Sequence, residues 1–89
     1  MGAVTEAIRR KLQAAFAPTT LDIVDDSDKH KGHAGHREGG ESHFTVIIEA
    51  SAFAGVNRVE RQRLVNRALA EELAGPVHAL LIKARAPGE

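Results

Sequence analysis

The second half of the chain changes its apolar period twice in a set order, and that order restricts the fold more than any other feature. Phe44, Val46 and Ile48 alternate with Thr45, Ile47 and Glu49, the two-residue period of a well-buried strand. Leu64, Val65, Ala68, Leu69 and Leu73 then recur at helical spacing. Asn57, with Glu60 three residues on, has the spacing of a capping box in front of them, and Gly75-Pro76 ends the helix. Residues 77–84 read as a further strand. A connection of this length through a helix makes the two strands a parallel pair, and the handedness rule makes the crossover right-handed.

The first half completes the sheet. Val4, Ile8, Leu12, Ala15 and Phe16 fall on one side of a helix over residues 4–16, which Pro18 stops. Residues 21–25 form a short β-branched strand, and residues 26–42 are polar with four glycines, a loop. Strands joined by one loop pair most simply antiparallel. The expected architecture is therefore α/β (α+β), a single domain over residues 1–89. Its order is α-β-β-α-β, a three-stranded mixed sheet backed by helices. Phe53 and Gly55 mark a turn, and residues 86–89 read as a frayed tail.

This topology brings the end of the first strand, the start of the second and the start of the third to one edge. All five histidines belong there: His30, His33, His36 and His43 on or beside the loop, and His78 as second residue of the third strand. The chain has no cysteine, so disulfides, thiol redox chemistry and thiolate ligation are excluded within it. It offers imidazole nitrogens, and no thiolate, to a metal or cluster supplied from outside. A His-rich tract can also hold a divalent cation by itself, although the glycines between His30, His33 and His36 argue against helical ligand spacing. His43, beside Phe44, is expected to anchor the loop.

Twelve basic and twelve acidic side chains cancel. That balance argues against strong nonspecific attraction to nucleic acid and favours protein or small-molecule partners. Locally, Arg58, Arg61, Arg63 and Arg67 outweigh Glu60, so Arg61 and Arg63 are candidate contacts for a partner's carboxylates or for nucleic acid. Asp25, Asp26, Asp28, Glu38 and Glu41 sit in or beside a polar loop without the held geometry that tunes catalytic carboxylates. No nucleophile stands beside a base, and no phosphate loop or complete zinc signature is present; an enzyme is not expected. No run is long enough to span a membrane and no apolar leader opens the chain, so the expected location is cytoplasmic.

Glu41-Ser42-His43-Phe44, the turn Phe53-x-Gly55, Arg61-Gln62-Arg63-Leu64-Val65, Leu69-Ala70-Glu71-Glu72-Leu73 and above all Val77-His78-Ala79-Leu80 resemble the BolA family. The resemblance runs from the first helix to Pro87. It implies a fold similar to a class II KH domain. It also implies partnership with a monothiol glutaredoxin and its glutathione, the two proteins sharing a bridging [2Fe-2S] cluster in iron–sulfur trafficking or iron homeostasis. On this chain the histidine of the Val-His-Ala-Leu motif is His78. The second ligand of the family comes from the loop between the first two strands and must here be a histidine. The choice stays open between His30 and His33, with His36 and His43 as further candidates for ligand or for the donor that orients one. Imidazole ligates only when neutral, so acidification is expected to release the cluster from this side.

Two departures matter. Gln62 stands where the family often has a histidine between two arginines, and residues 29–40 make a longer loop than in many members. The alternative implied by a KH-like fold is a DNA-binding transcriptional regulator. Gly32-His33-Ala34-Gly35 has the spacing of a KH loop, but it joins two strands rather than two helices. A second copy of the chain is a further candidate partner when the protein is free.

Overall fold

The computed structural model describes residues 2–26 and 42–89. Along the chain run α1 (Ala3–Phe16), β1 (Thr20–Asp25), β2 (His43–Glu49), a short 3-10 turn (Ser51–Phe53), α2 (Arg58–Ala68), α3 (Ala70–Ala74) and β3 (Ala79–Arg85). The sheet order is β1-β2-β3, with β1 antiparallel and β3 parallel to β2. The change of period from two to helical and back thus produces the mixed three-stranded sheet it implies.

One face of the sheet is covered and the other is open. Phe44, Val46 and Ile48 of β2 and Ile82 of β3 are buried beneath Ile8 and Leu12 of α1 and Val65 and Leu69 of the later helices. The alternate positions His43, Thr45, Ile47 and Glu49 lie on the opposite face, only half-buried. Phe53 is fully buried, its ring centroid 5.0 Å from that of Phe16. With few aromatics to share between them, this pair closes the end of the core where the chain turns from β2 into α2.

Local chemistry explains the helix boundaries. Asn57 accepts a hydrogen bond from the Glu60 N–H at 2.9 Å, satisfying one of the donors that the first turn of α2 leaves unpaired. At the end of α1, Ala17 adopts the left-handed conformation (φ 46°, ψ 56°) and its N–H reaches the Gln13 carbonyl at 3.1 Å. A Cβ is disfavoured there, and glycine is the usual residue at such a cap. Ala17→Gly is accordingly expected to raise stability by about 0.5 kcal/mol, relief of backbone strain slightly outweighing the extra unfolded-state entropy. Urea unfolding measures it; a lower midpoint would refute the strain.

Four sequence expectations are corrected. Ala15 is exposed and Thr5 is buried, because the stripe of α1 that meets the sheet runs through Thr5, Ile8 and Leu12. The second helix is not continuous: it breaks at Leu69 (φ −107°, ψ 22°), which stays in the core while α3 turns toward α1. There Lys11 Nζ meets Glu71 Oε1 at 2.7 Å and Glu72 Oε2 at 2.8 Å. Periodicity could not reveal the break, since no proline or glycine marks it. β3 begins at Ala79, not at Val77, so His78 precedes the strand. Residues 86–89 are not frayed: Ala86 is buried, and Glu89 folds back onto α2.

Candidate functional site

The start of β2 and the segment leading into β3 are held together by one carbonyl. Ser42 O accepts from the His78 N–H at 2.7 Å and from the Ala79 N–H at 3.2 Å, the first link of a parallel register in which His43 pairs with Ala79. Upstream, the Glu72 carbonyl accepts from the Gly75 N–H at 3.2 Å and the Val77 N–H at 2.9 Å, which turns the chain out of α3. Val77 is buried, so the turn is pinned by packing as well. The Lys11 ion pairs fix Glu72 from the other side. His78 therefore owes its place to contacts on α1, α3 and β2 together.

His43 and His78 become neighbours as a result. Their ring centroids lie 6.4 Å apart, with the planes inclined by 25°. Ser42 Oγ is 2.9 Å from His43 Nδ1, a contact that orients the ring and engages the nitrogen nearer the backbone. His78 is exposed and His43 half-buried. His43 is held by its neighbour Ser42, while the loop it is expected to anchor lies outside the described residues. Among the described residues, no group of three or more His, Asp or Glu gathers to hold a metal ion. His30, His33 and His36, together with Asp28, Glu38, Glu41 and the Gly32–Gly35 spacing, lie outside the described residues.

A shallow depression of 400 Å³ adjoins the pair on the open face of the sheet, lined by Asp26, His43, Thr45, Ala79 and Leu81 among others. Pairing runs Val24 to Thr45 to Leu81 across the three strands, so these side chains share the face that carries His43. Val24 and Leu81 are 44% and 56% exposed. The Thr45 hydroxyl donates to the Asp26 carboxylate, tying the end of β1 to this face. The His43 imidazole thus borders a patch with apolar side chains and no dense charge, and the His78 ring lies beside His43.

The arginines of α2 divide by role. Arg63 is exposed and pairs with Glu60 at 3.2 Å. Arg61 is recessed: its Nε donates to the Val56 carbonyl at 2.7 Å and its Nη1 to the Ala84 carbonyl at 3.2 Å. Gln62 Nε2 likewise donates to the Ile82 carbonyl at 3.0 Å. The two side chains cap carbonyls on the outer edge of β3 that would otherwise await a further strand. In this chain the residue between the two arginines serves the sheet edge.

The remaining edge of the Arg61 guanidinium grips Glu89, Nη1 to Oε1 and Nη2 to Oε2 both at 2.6 Å. Composition and period did not reveal this clamp. The dipeptide Pro87-Gly88 was its signal: proline then glycine is the pattern of a type II turn. Gly88 has φ 88°, and the Glu89 N–H returns to the Ala86 carbonyl at 3.2 Å. The guanidinium, and next the Ala86 N–H, hold the Glu89 carboxyl well below its ordinary 4.5, at about 2. A depressed carboxylate stabilises the fold fully above the unfolded value and loses that contribution as pH falls through the folded one. The clamp is therefore expected to persist through pH 4.5 and open toward pH 2. A carboxyl-detected NMR titration of Glu89 checks this, and a midpoint near 4.5 would show that the clamp does not form in solution.

A family model described as BolA-like protein matches residues 12–89. The BolA-like protein 1 of Pongo abelii is 47% identical over 89 residues, covering all of this chain, which spans 62% of that relative's length. The DNA-binding transcriptional regulator BolA of Escherichia coli is 42% identical over 79 residues, covering 89% of this chain and 71% of that protein. Among solved structures, BolA1 from Arabidopsis thaliana superposes with a TM-score of 0.87 at 37% identity, covering 100% of this chain and 98% of that one.

Proposed function

Because the chain belongs to the BolA-like family, we propose that it is an adaptor without enzymatic activity that partners a monothiol glutaredoxin and co-ligates a bridging [2Fe-2S] cluster through histidine. The observation that carries this reading is the exposed His78 set 6.4 Å from His43 beside an open, partly apolar sheet face. The donor set suits one side of such a cluster: neutral imidazoles without thiolate, so the sulfur ligands fall to the partner and its glutathione. His78, in the segment just before β3, is the first ligand proposed. The second would come from His30 or His33, with His36 as a further candidate and His43 as an orienting neighbour or substitute. With Nδ1 of His43 engaged by Ser42, Nε2 is the nitrogen that would serve. A cluster bound by imidazole on one iron supplies one-electron chemistry at a higher potential than an all-thiolate one.

The rest of the site would dock rather than react. Leu81 and Val24 offer apolar surface to the partner, and the Asp26–Thr45 bond joins the end of β1 to that face. Mixing the purified chain with a monothiol glutaredoxin, glutathione, iron and sulfide tests the reading. A one-to-one complex whose visible circular dichroism differs from that of the glutaredoxin homodimer is expected. A spectrum and elution volume unchanged by this chain would refute it.

A second reading rests on the relative named as a DNA-binding transcriptional regulator and on the arginines of α2. It expects duplex binding that weakens steeply with salt and on replacing Arg63, while ignoring His78.

A further inference from the structure

Along the outer edge of β3, α2 and β3 border a cleft of 530 Å³ lined by Ile47, Arg58, Arg61, Gln62, Lys83 and Arg85, with Ile82 and Ala84. Four of these residues are cations, in a chain whose total charge is zero. Arg85 is paired with Glu49 at 3.0 Å. Neither Arg58 nor Lys83 has an ion-pair partner among the described residues.

Arg61 is built as a receptor. Two backbone carbonyls fix its guanidinium from behind, leaving one fork of two N–H donors facing the cleft. That fork matches the paired oxygens of a carboxylate or a phosphate. What fills it is the chain's own Glu89 carboxylate, delivered by the Pro87-Gly88 turn and oriented by the Ala86 N–H at 3.0 Å. A single carboxylate satisfies Arg61 alone. It leaves Arg58 and Lys83 uncompensated at the same cleft, a surplus that suits an anion with more charge and more oxygens.

We propose that the Arg61 cleft is a phosphate-binding site and that Glu89 is its intramolecular competitor, so that a phosphate group must displace Glu89 to occupy the fork. The shared chemistry is the phosphate oxyanion, carried by a free phosphate monoester or by a nucleic-acid backbone. The proposal does not rest on the cluster reading. It deepens the DNA reading by naming the contact face and its latch.

Arg61→Ala is a poor test, because it also strips two carbonyls of their donor. Glu89→Gln removes the competitor's charge and leaves Arg61 in place. Gly88→Val opens the turn without changing any charge, since a β-branched residue is strained at φ 88°. Inorganic phosphate is titrated into the full chain and followed by the Arg61 Nε–H and Gln62 side-chain NMR signals, with a 20-base-pair duplex (roughly the span of two helical turns) followed by fluorescence anisotropy at fixed salt. Both variants are expected to tighten phosphate binding about fivefold, the scale of a partly exposed ion pair, and Lys83→Ala in the Glu89→Gln background to reverse the gain. If the duplex tightens in parallel, the source is a phosphodiester backbone. If only free phosphate tightens, the site stands with a small ligand and the DNA reading falls. Equal phosphate affinity in wild type and both variants, or shifts confined to other residues, would overturn the proposal even if the duplex binds elsewhere.

Discussion

His78→Ala is expected to abolish the heterocomplex form of the cluster while leaving the chain folded. The His78 N–H holds the register to Ser42, and alanine keeps that N–H. The side chain is exposed, so the stability change should stay within about 0.5 kcal/mol. Loss of an outer-shell partner commonly lowers metal affinity roughly 10–100-fold, and loss of a ligand should exceed that. The reconstituted complex with a glutaredoxin should then show only the absorption and circular dichroism of the glutaredoxin's own cluster. An unchanged heterocomplex spectrum would make the ligand assignment wrong. His30→Ala and His33→Ala, made alongside, identify the second ligand as the one whose loss gives the same result. His43→Ala should alter the spectrum without erasing it if that ring orients rather than binds.

Phe53→Ala should have the largest effect on the fold itself. Phe53 is fully buried, stacked obliquely on Phe16, and sits where the chain leaves the sheet for α2. Removing a phenyl ring from such a site costs about 3–5 kcal/mol, as lost transfer energy plus a cavity that its neighbours fill only in part. A domain this small is held by only about 5–15 kcal/mol in total. The variant is therefore expected to unfold at far lower urea, and to be largely unfolded if the wild type lies at the bottom of that range. A loss below about 1 kcal/mol would mean that Phe16 and its surroundings collapse into the space.

Much of the architecture was legible because it is written in short-range terms. Alternation at Phe44, Val46 and Ile48 and helical spacing at Val65 and Leu69 each report one face, and the structure buries those faces. Asn57 and Glu60 marked the start of α2 through a bond three residues long. The break at Leu69 carried no local mark, since it arises where a buried leucine and the Lys11 ion pairs pull α3 toward α1. The clamp at Glu89 did carry one, in Pro87-Gly88, but a turn does not say which distant side chain it will meet.

The candidate site divides in the same way. By itself the sequence determined the order of the strands and the helices between them, save the break at Leu69, the strands that must be parallel, the absence of any thiolate and the edge that carries His43 and His78. These follow from period, connection length and residue chemistry. Only the tertiary structure decided that His43 and His78 stand side by side and that Arg61 closes on Glu89. Those pairings depend on backbone hydrogen bonds and packing between residues far apart in the chain, chiefly the Ser42 carbonyl that joins β2 to the segment before β3.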